Sequence, residues 1–326
     1  MVRKCSIRAL MLIIGMNVMA VASAEVYPSR PITIVVPAAA GGPGDAFARI
    51  IAEHIRSSLG QPATIENIAG ASGSIGAGRV ARATGDGYTL VLGNWATHVL
   101  NGALFTLPYD VTTDFEPIAL IARNPLVISA RKTMPANTLR ELVAWLKANP
   151  DKATAGTSGP GSAMHLAGVL FQKETGARFG FVPYRGAAPA IQDLLGGRID
   201  LYIGLAADCV PQVRADNIKA YAVPAKSRLT AAPDIPTVDE AGVPGLYVSG
   251  WTGLWAPKGA PKDIIARLNS VILDTLADPA VRQRLAGMGQ EIPLRAQQTP
   301  DALRAFQKAE IEKWWPIIKT AGIKAE

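Results

Sequence analysis

Cysteine, histidine and charge are all scarce in this chain. There are two cysteines, Cys5 and Cys209, and three histidines in 326 residues, and charged side chains make up only 18%. His54, His98 and His165 stand far apart, with no His-x-x-x-His pair and no cysteine cluster, so neither a metal centre nor a cofactor is expected. No Gly-x-Ser-x-Gly elbow occurs, because Pro160 follows Ser158 by two and precedes Ser162 by two. A Gly-x-x-x-x-Gly-Lys-Ser/Thr loop is missing too, and Gly70, Gly73, Gly76 and Gly78 lack the Gly-x-Gly-x-x-Gly spacing. These gaps argue against a secreted hydrolase, which needs an activated nucleophile or a metal. Nor is there a Lys/Arg block of the kind that marks a nucleic-acid footprint. No apolar run reaches the roughly twenty residues that span a bilayer.

What is present begins with an export leader over residues 1–24. Arg3, Lys4 and Arg8 precede the apolar run Ala9 to Val21, and Ala22-Ser23-Ala24 gives the small-x-small cleavage pattern before Glu25. The leader carries three of the 33 basic residues and none of the 26 acids, so its removal lowers net charge from +7 to +4. Only Cys209 then remains, which excludes an internal disulfide despite an oxidising destination. Stability has to come from a core, and 49% hydrophobic composition can supply one.

Strand-like and helix-like runs alternate along the mature chain. Strands are expected at Ile32–Val36, Tyr88–Leu92, Ile118–Ala122, Leu126–Ala130, Phe179–Val182, Leu201–Gly204, Ala220–Val223 and around Trp255. Helices are expected over Ala46–Leu59 with Asp45 as cap, Leu139–Ala148 behind the capping box Thr138-Leu-Arg-Glu141, Ser162–Thr175 and Pro189–Leu195. Ile264, Ile265, Leu268, Val271, Ile272 and Leu276 form one helical face, and Thr299-Pro300 opens a last helix. The alternation predicts two α/β domains with a ligand at the carboxyl ends of the strands.

Two segments share one grammar of strand, small-residue turn and helix. One runs from Ile32–Pro37 through Ala38-Ala-Ala-Gly-Gly-Pro-Gly44, the other from Ala153 through Gly159-Pro-Gly-Ser162. A turn without bulk exposes the free N–H groups and positive dipole end of the next helix, which suit an anion. Two such turns, a domain apart and without a catalytic group between them, suggest two halves gripping one small anion.

In order and spacing, further segments resemble a family: the Bug-type solute receptors of tripartite tricarboxylate transporters. They include Tyr27-Pro-Ser-Arg-Pro-Ile32, Gly41-Gly42 with Asp45, Asp86-Gly-Tyr-Thr-Leu90, Leu107-Pro-Tyr-Asp110 and Val182-Pro-Tyr-Arg-Gly186. Leu194-Leu-Gly-Gly197, Pro233-Asp-Ile-Pro-Thr237 and Trp251-Thr-Gly-Leu-Trp-Ala-Pro257 continue the match over nearly all of the mature chain. The resemblance implies a two-lobe α/β periplasmic binding protein of type II topology, with a ligand cleft between lobes. Lobe one would comprise residues 25–124 plus 248–326, and lobe two residues 125–247. It implies a small carboxylate ligand, such as a di- or tricarboxylate, delivered to a two-subunit membrane permease, and the receptor is expected to act as a monomer. A receptor presenting its ligand to a membrane sensor kinase would share the same cleft.

Strand-end geometry then nominates the contacts. Ala39, Gly41 and Gly42 offer backbone donors, and Asn94 and Thr97 offer side chains after the Tyr88–Leu92 strand. Thr157, Ser158 and Ser162 meet the ligand from the other lobe, with Arg185 placed either on a second carboxylate or in a surface ion pair. Asp208, expected in a loop facing the cleft, would bind a ligand ammonium or hydroxyl, or else sit on the surface. Where the family usually has Pro-Phe-x-Pro, this chain has Pro37-Ala-Ala-Ala40, a roomier turn. Trp95 either stacks on a flat ligand or packs into the scaffold, and with the roomier Ala38-Ala39-Ala40 turn it favours a flat or bulky carboxylate such as an aromatic acid over a slender aliphatic one.

Overall fold

The computed structural model describes residues 27–159, 161–184 and 186–323. The leader and Arg185 therefore lie outside the described residues. In chain order the elements are β1 (Ile32–Val36), α1 (Pro43–Leu59), β2 (Ala63–Asn67), α2 (Ser74–Ala81), β3 (Thr89–Asn94), α3 (Asn101–Leu104) and β4 (Phe115–Arg131). Then come α4 (Leu139–Ala148), β5 (Thr154–Thr157), α5 (Ala163–Thr175), β6 (Gly180–Pro183), α6 (Ala187–Leu195), β7 (Leu201–Leu205), α7 (Ala206–Arg214) and β8 (Ile218–Ala222). β9 (Ser249–Pro257), α8 (Lys262–Ala277), α9 (Pro279–Gly287) and α10 (Pro300–Thr320) complete the chain.

The strands follow the order β2-β1-β3-β9-β4-β7-β5-β6, with β8 on β4. Burial explains their chemistry, since neighbouring side chains along a strand point to opposite faces. Ile34 and Val36 enter one core with Phe47, Ile51 and Ile55 of α1 and Leu268 and Ile272 of α8. Val35 enters another with Trp95, Trp255 and Trp314, and that core runs on through Leu126, Ile128, Leu142 and Leu166. Val127 turns the other way, toward Tyr202, Leu194 and Cys209. Helices thus cover both faces of the sheet, the arrangement a run of apolar strands requires.

One expectation changes in a way that matters. Ile118–Ala122 and Leu126–Ala130 are not two strands but parts of the 17-residue β4. Arg123-Asn-Pro125 looks like an interruption in sequence, yet the backbone stays extended because β9 pairs Asn124 with Gly250 and Pro125 with Ser249. From Leu126 onward the partner is β7, beginning with Leu126 against Leu205. β4 therefore crosses from one set of strands to the other. β2, α2, α3, α7 and α9 were not expected; the five-residue β2, Ala-Thr-Ile-Glu-Asn, is too short and too polar to show a strong period.

Candidate ligand-binding site

The register of β4 decides which strand ends meet. Asn94, the last residue of β3, lies opposite Thr252 of β9, which lies opposite Ala122 of β4. Four residues further along β4, Leu126 faces Leu205, the last residue of β7. β1 is parallel to β3, and β5 is parallel to β7 and β6. The carboxyl ends of β1 and β3 therefore point at those of β5, β6 and β7 across the short stretch Ala122–Leu126. The rims come close: Gly161 has φ +73°, and a Cβ there would lie 2.7 Å from Leu104 Cδ1.

The first turn is made of backbone. Pro37 is buried, and Ala38, Ala39, Ala40 and Gly41 are exposed. α1 starts at Pro43, with Gly42 as an extended N-cap lacking a side-chain bond. Asp45 is accordingly not the cap expected for a helix beginning at Ala46. It sits one turn inside and reaches back, accepting from the Gly41 N–H at 3.1 Å and from Arg49 Nε at 3.0 Å and Nη2 at 3.2 Å. The Arg49 guanidinium, then the Gly41 amide, hold this carboxyl below the usual carboxylate range. Gly41, nominated as a ligand donor, therefore has its N–H already taken by the protein's own anion. The Ala39, Ala40 and Gly42 N–H groups have no protein acceptor among the described residues.

At the end of β3, Asn94 and Thr97 bind each other. The Asn94 N–H donates to Thr97 Oγ1 at 2.9 Å, and the Thr97 N–H to Asn94 Oδ1 at 3.0 Å. Thr97 is 1% exposed and its hydroxyl also meets His98 Nδ1 at 2.9 Å, so it braces the turn from beneath instead of facing a ligand. Asn94 is half-buried and keeps its NH2 group free of protein acceptors among the described residues. Trp95 does not stack on a ligand here. It is 2% exposed and meets Trp314 of α10 edge-on at 4.9 Å, because the helical turn after β3 aims it into the core. His98 is buried below, stacked on Trp255 at 3.9 Å, and desolvation pulls its pKa down to about 3.

The second turn uses side chains. Ser162 caps α5, its oxygen accepting from the His165 N–H at 3.3 Å, while its own proton stays available. The Gly161 N–H donates to His165 Nδ1 at 3.0 Å, which requires a neutral ring protonated at Nε2, and burial holds its pKa below the ordinary histidine value. Thr157 is buried and accepts from Gly159 N–H at 3.3 Å. Ser158 is exposed, with no protein partner for its hydroxyl among the described residues. Asp208 departs from expectation: it lies in the first turn of α7, not in a loop, accepting from the buried Tyr202 hydroxyl at 3.3 Å. Desolvation raises its pKa, opposed by that hydrogen bond.

The arrangement therefore brings Ala39, Gly42 and Asn94 to one side of the crossing and Ser158 and Ser162 to the other, while Thr97, Thr157 and Trp95 lie beneath. Leu104 is a working part that composition and spacing did not single out. His165 stands near the second turn in sequence, and its role follows from the Gly161-x-x-x-His165 spacing of one helical turn. Two hollows of about 600 and 890 Å³ flank the crossover, and neither includes these turn residues.

Two small-residue turns that each open a helix, set against each other across Ala122–Leu126, form a two-sided α/β site of the kind that takes a small ligand. The comparisons give the family. A family model described as the tripartite tricarboxylate transporter family receptor, TctC, matches residues 47–323, and the chain belongs to that family of periplasmic solute-binding receptors, which are not enzymes. The protein BugT of Bordetella pertussis is 36% identical over 93% of this chain and 92% of its own length. MatC from Rhodopseudomonas palustris, solved with bound malate, is similar at 38% identity and TM-score 0.75, over 90% of this chain and all of that one. A second R. palustris protein, solved with adipate, shares 35% identity and a TM-score of 0.77 over 91% of this chain and 99% of its own. No described helix is long and apolar enough to cross a membrane.

Proposed function

We propose that this receptor captures a small aliphatic dicarboxylate between the facing turns and delivers it to a two-subunit membrane permease. The carrying observation is the β4 register, which sets two anion-ready helix starts against each other across Ala122–Leu126. The dicarboxylates malate and adipate in two similar receptors support the ligand class. Burial of Trp95 removes the sequence argument for an aromatic acid. One carboxylate meets the Ala39 and Gly42 N–H groups and the Asn94 amide, partly through ordered water. The other meets Ser158, Ser162 and the start of α5, with Arg185 as a charged contact.

On this reading the chain divides into lobe one, residues 25–124 plus 248–326, and lobe two, residues 125–247, after loss of residues 1–24 in the periplasm. The change of pairing partner at Pro125 and Leu126 supports that division. The test is calorimetry and thermal melting of the mature protein with malate, adipate, succinate and citrate. A ligand that binds only the folded state adds about 2.7 kcal/mol at 100 times its Kd. No heat and no shift with any of the four would overturn the ligand class. Loss of uptake on deleting the permease genes, with ligand binding intact, would separate transport from signalling.

A further inference from the structure

The hollow of about 600 Å³ lies beside the crossover and is lined from both parts of the chain, by Lys226 and Tyr247 from one and by Arg123, Phe306, Glu310 and Lys313 from the other. Its size falls in the range of small-molecule sites, about 300–1,000 Å³. Three cations reach it, and none has a carboxylate oxygen within 4.0 Å among the described residues. Arg123 is half-buried, with its guanidinium 5.0 Å over the Phe306 ring and no protein acceptor for its side-chain N–H groups among the described residues. This cation–π contact holds the guanidinium against the ring, and its free N–H groups suit a planar acceptor. Lys226 lies 5.5 Å over the Tyr247 ring, and Lys313 donates to the Tyr247 carbonyl with two further protons to offer.

Two acids share the wall, but burial weakens both. Glu291 and Glu310 are pushed above the ordinary carboxylate range by desolvation, against the opposing pull of nearby cations and, for Glu310, the Trp251 indole. Burial also pulls the Lys313 ammonium down, a penalty that an incoming anion would relieve. The remaining wall is apolar, and at its mouth Leu294 is 75% exposed, one of the few large apolar side chains left to water. Cations without a carboxylate in contact among the described residues, an aromatic face and an exposed leucine suit an anion with a flat apolar body.

We propose that this hollow is a second ligand site, separate from the facing turns, for a small aromatic monocarboxylate. The carboxylate lies on the Arg123 guanidinium and near Lys226 and Lys313, and the ring lies against Phe306 and Leu294. Because both parts of the chain line it, an occupant spans the crossover.

Benzoate titrated calorimetrically into the mature protein tests the proposal. One molecule is expected to bind, with affinity that falls as salt is added. Arg123→Gln should weaken benzoate about tenfold, as loss of a charge-assisted pair does. Lys226→Glu, at an exposed position that leaves the core untouched, should weaken it at least threefold, while malate binding stays as in the parent. Ser158→Ala should leave benzoate affinity unchanged. Absence of benzoate binding at about 5 mM, a concentration that would reveal even millimolar affinity, would overturn the proposal. So would binding lost on Ser158→Ala but kept in Lys226→Glu, since that would place benzoate between the turns.

Discussion

The two turns that face each other have one sequence grammar and two different constructions. Ala38–Gly42 contributes backbone alone: its Gly41 N–H is taken by Asp45, which Arg49 pairs, and the neighbouring turn after β3 rests on the buried Thr97, His98 and Trp95. Gly159–Ser162 repeats the brace, with the Gly161 N–H on His165 in place of a carboxylate, and adds hydroxyls: Thr157 on the Gly159 N–H and Ser162 on the His165 N–H. The first turn offers a ligand only main-chain N–H groups. The second adds side-chain hydroxyls. A mutation near the first should therefore act mainly through stability, and one in the second mainly through affinity.

The largest effect is expected at Trp95. Trp95→Ala empties a buried site against Trp314 and should cost about 3–5 kcal/mol of stability, while malate and adipate affinities change together. A melt that barely moves, with one ligand selectively lost, would break the comparison by making Trp95 part of the site.

Acid should come next, and it too acts through the layer under the first turns. His98 has a folded pKa of about 3, below the unfolded value, so the unfolded chain takes up its proton first as pH falls. Its contribution is complete above about pH 6.5 and declines toward pH 3, at up to about 1.4 kcal/mol per unit. His165 shifts in the same direction, so it adds to the same slope below about pH 6.5. His98→Gln should flatten the stability-versus-pH curve more than His165→Gln does, as measured by denaturant melts. The reverse order would assign the acid sensitivity to the second turn.

In the second turn, Ser158→Ala with Ser162→Ala should weaken malate by about 1–3 kcal/mol, the cost of unpaired ligand oxygens. Calorimetry on the folded double variant reads it, and unchanged affinity would remove this turn from the site. The smallest effects sharpen the contrast between the two serines. Ser162→Ala loses an N-cap and should cost about 1 kcal/mol of stability. Ser158→Ala, exposed and without a protein partner, should stay within about 0.5 kcal/mol. Equal costs would mean that Ser158 also braces the turn.

Much of this was legible because it is local. The capping box at Thr138 and Glu141 appears as the Glu141 N–H to Thr138 hydrogen bond, and the Thr299 cap bonds the Ala302 N–H. Ser162, Gly60 and Gly176 mark helix ends where expected, since capping depends on a few adjacent residues. The family could be identified because turn glycines, prolines and short motifs keep their order whatever the lobes do. Which side chains remain free to meet a ligand was not legible. Gly41, Thr97 and Trp95 stood at the right places in the chain, but Asp45, His98 and Trp314 took them. The continuity of β4 through Pro125 was hidden for the same reason: its pairing partners lie more than a hundred residues away, at Ser249 and Gly250. Local sequence set the caps, the periods and the two small turns. Only tertiary pairing decided which turns face each other and which donors remain unspent, because burial and hydrogen-bond partners belong to neighbours in space and not in sequence.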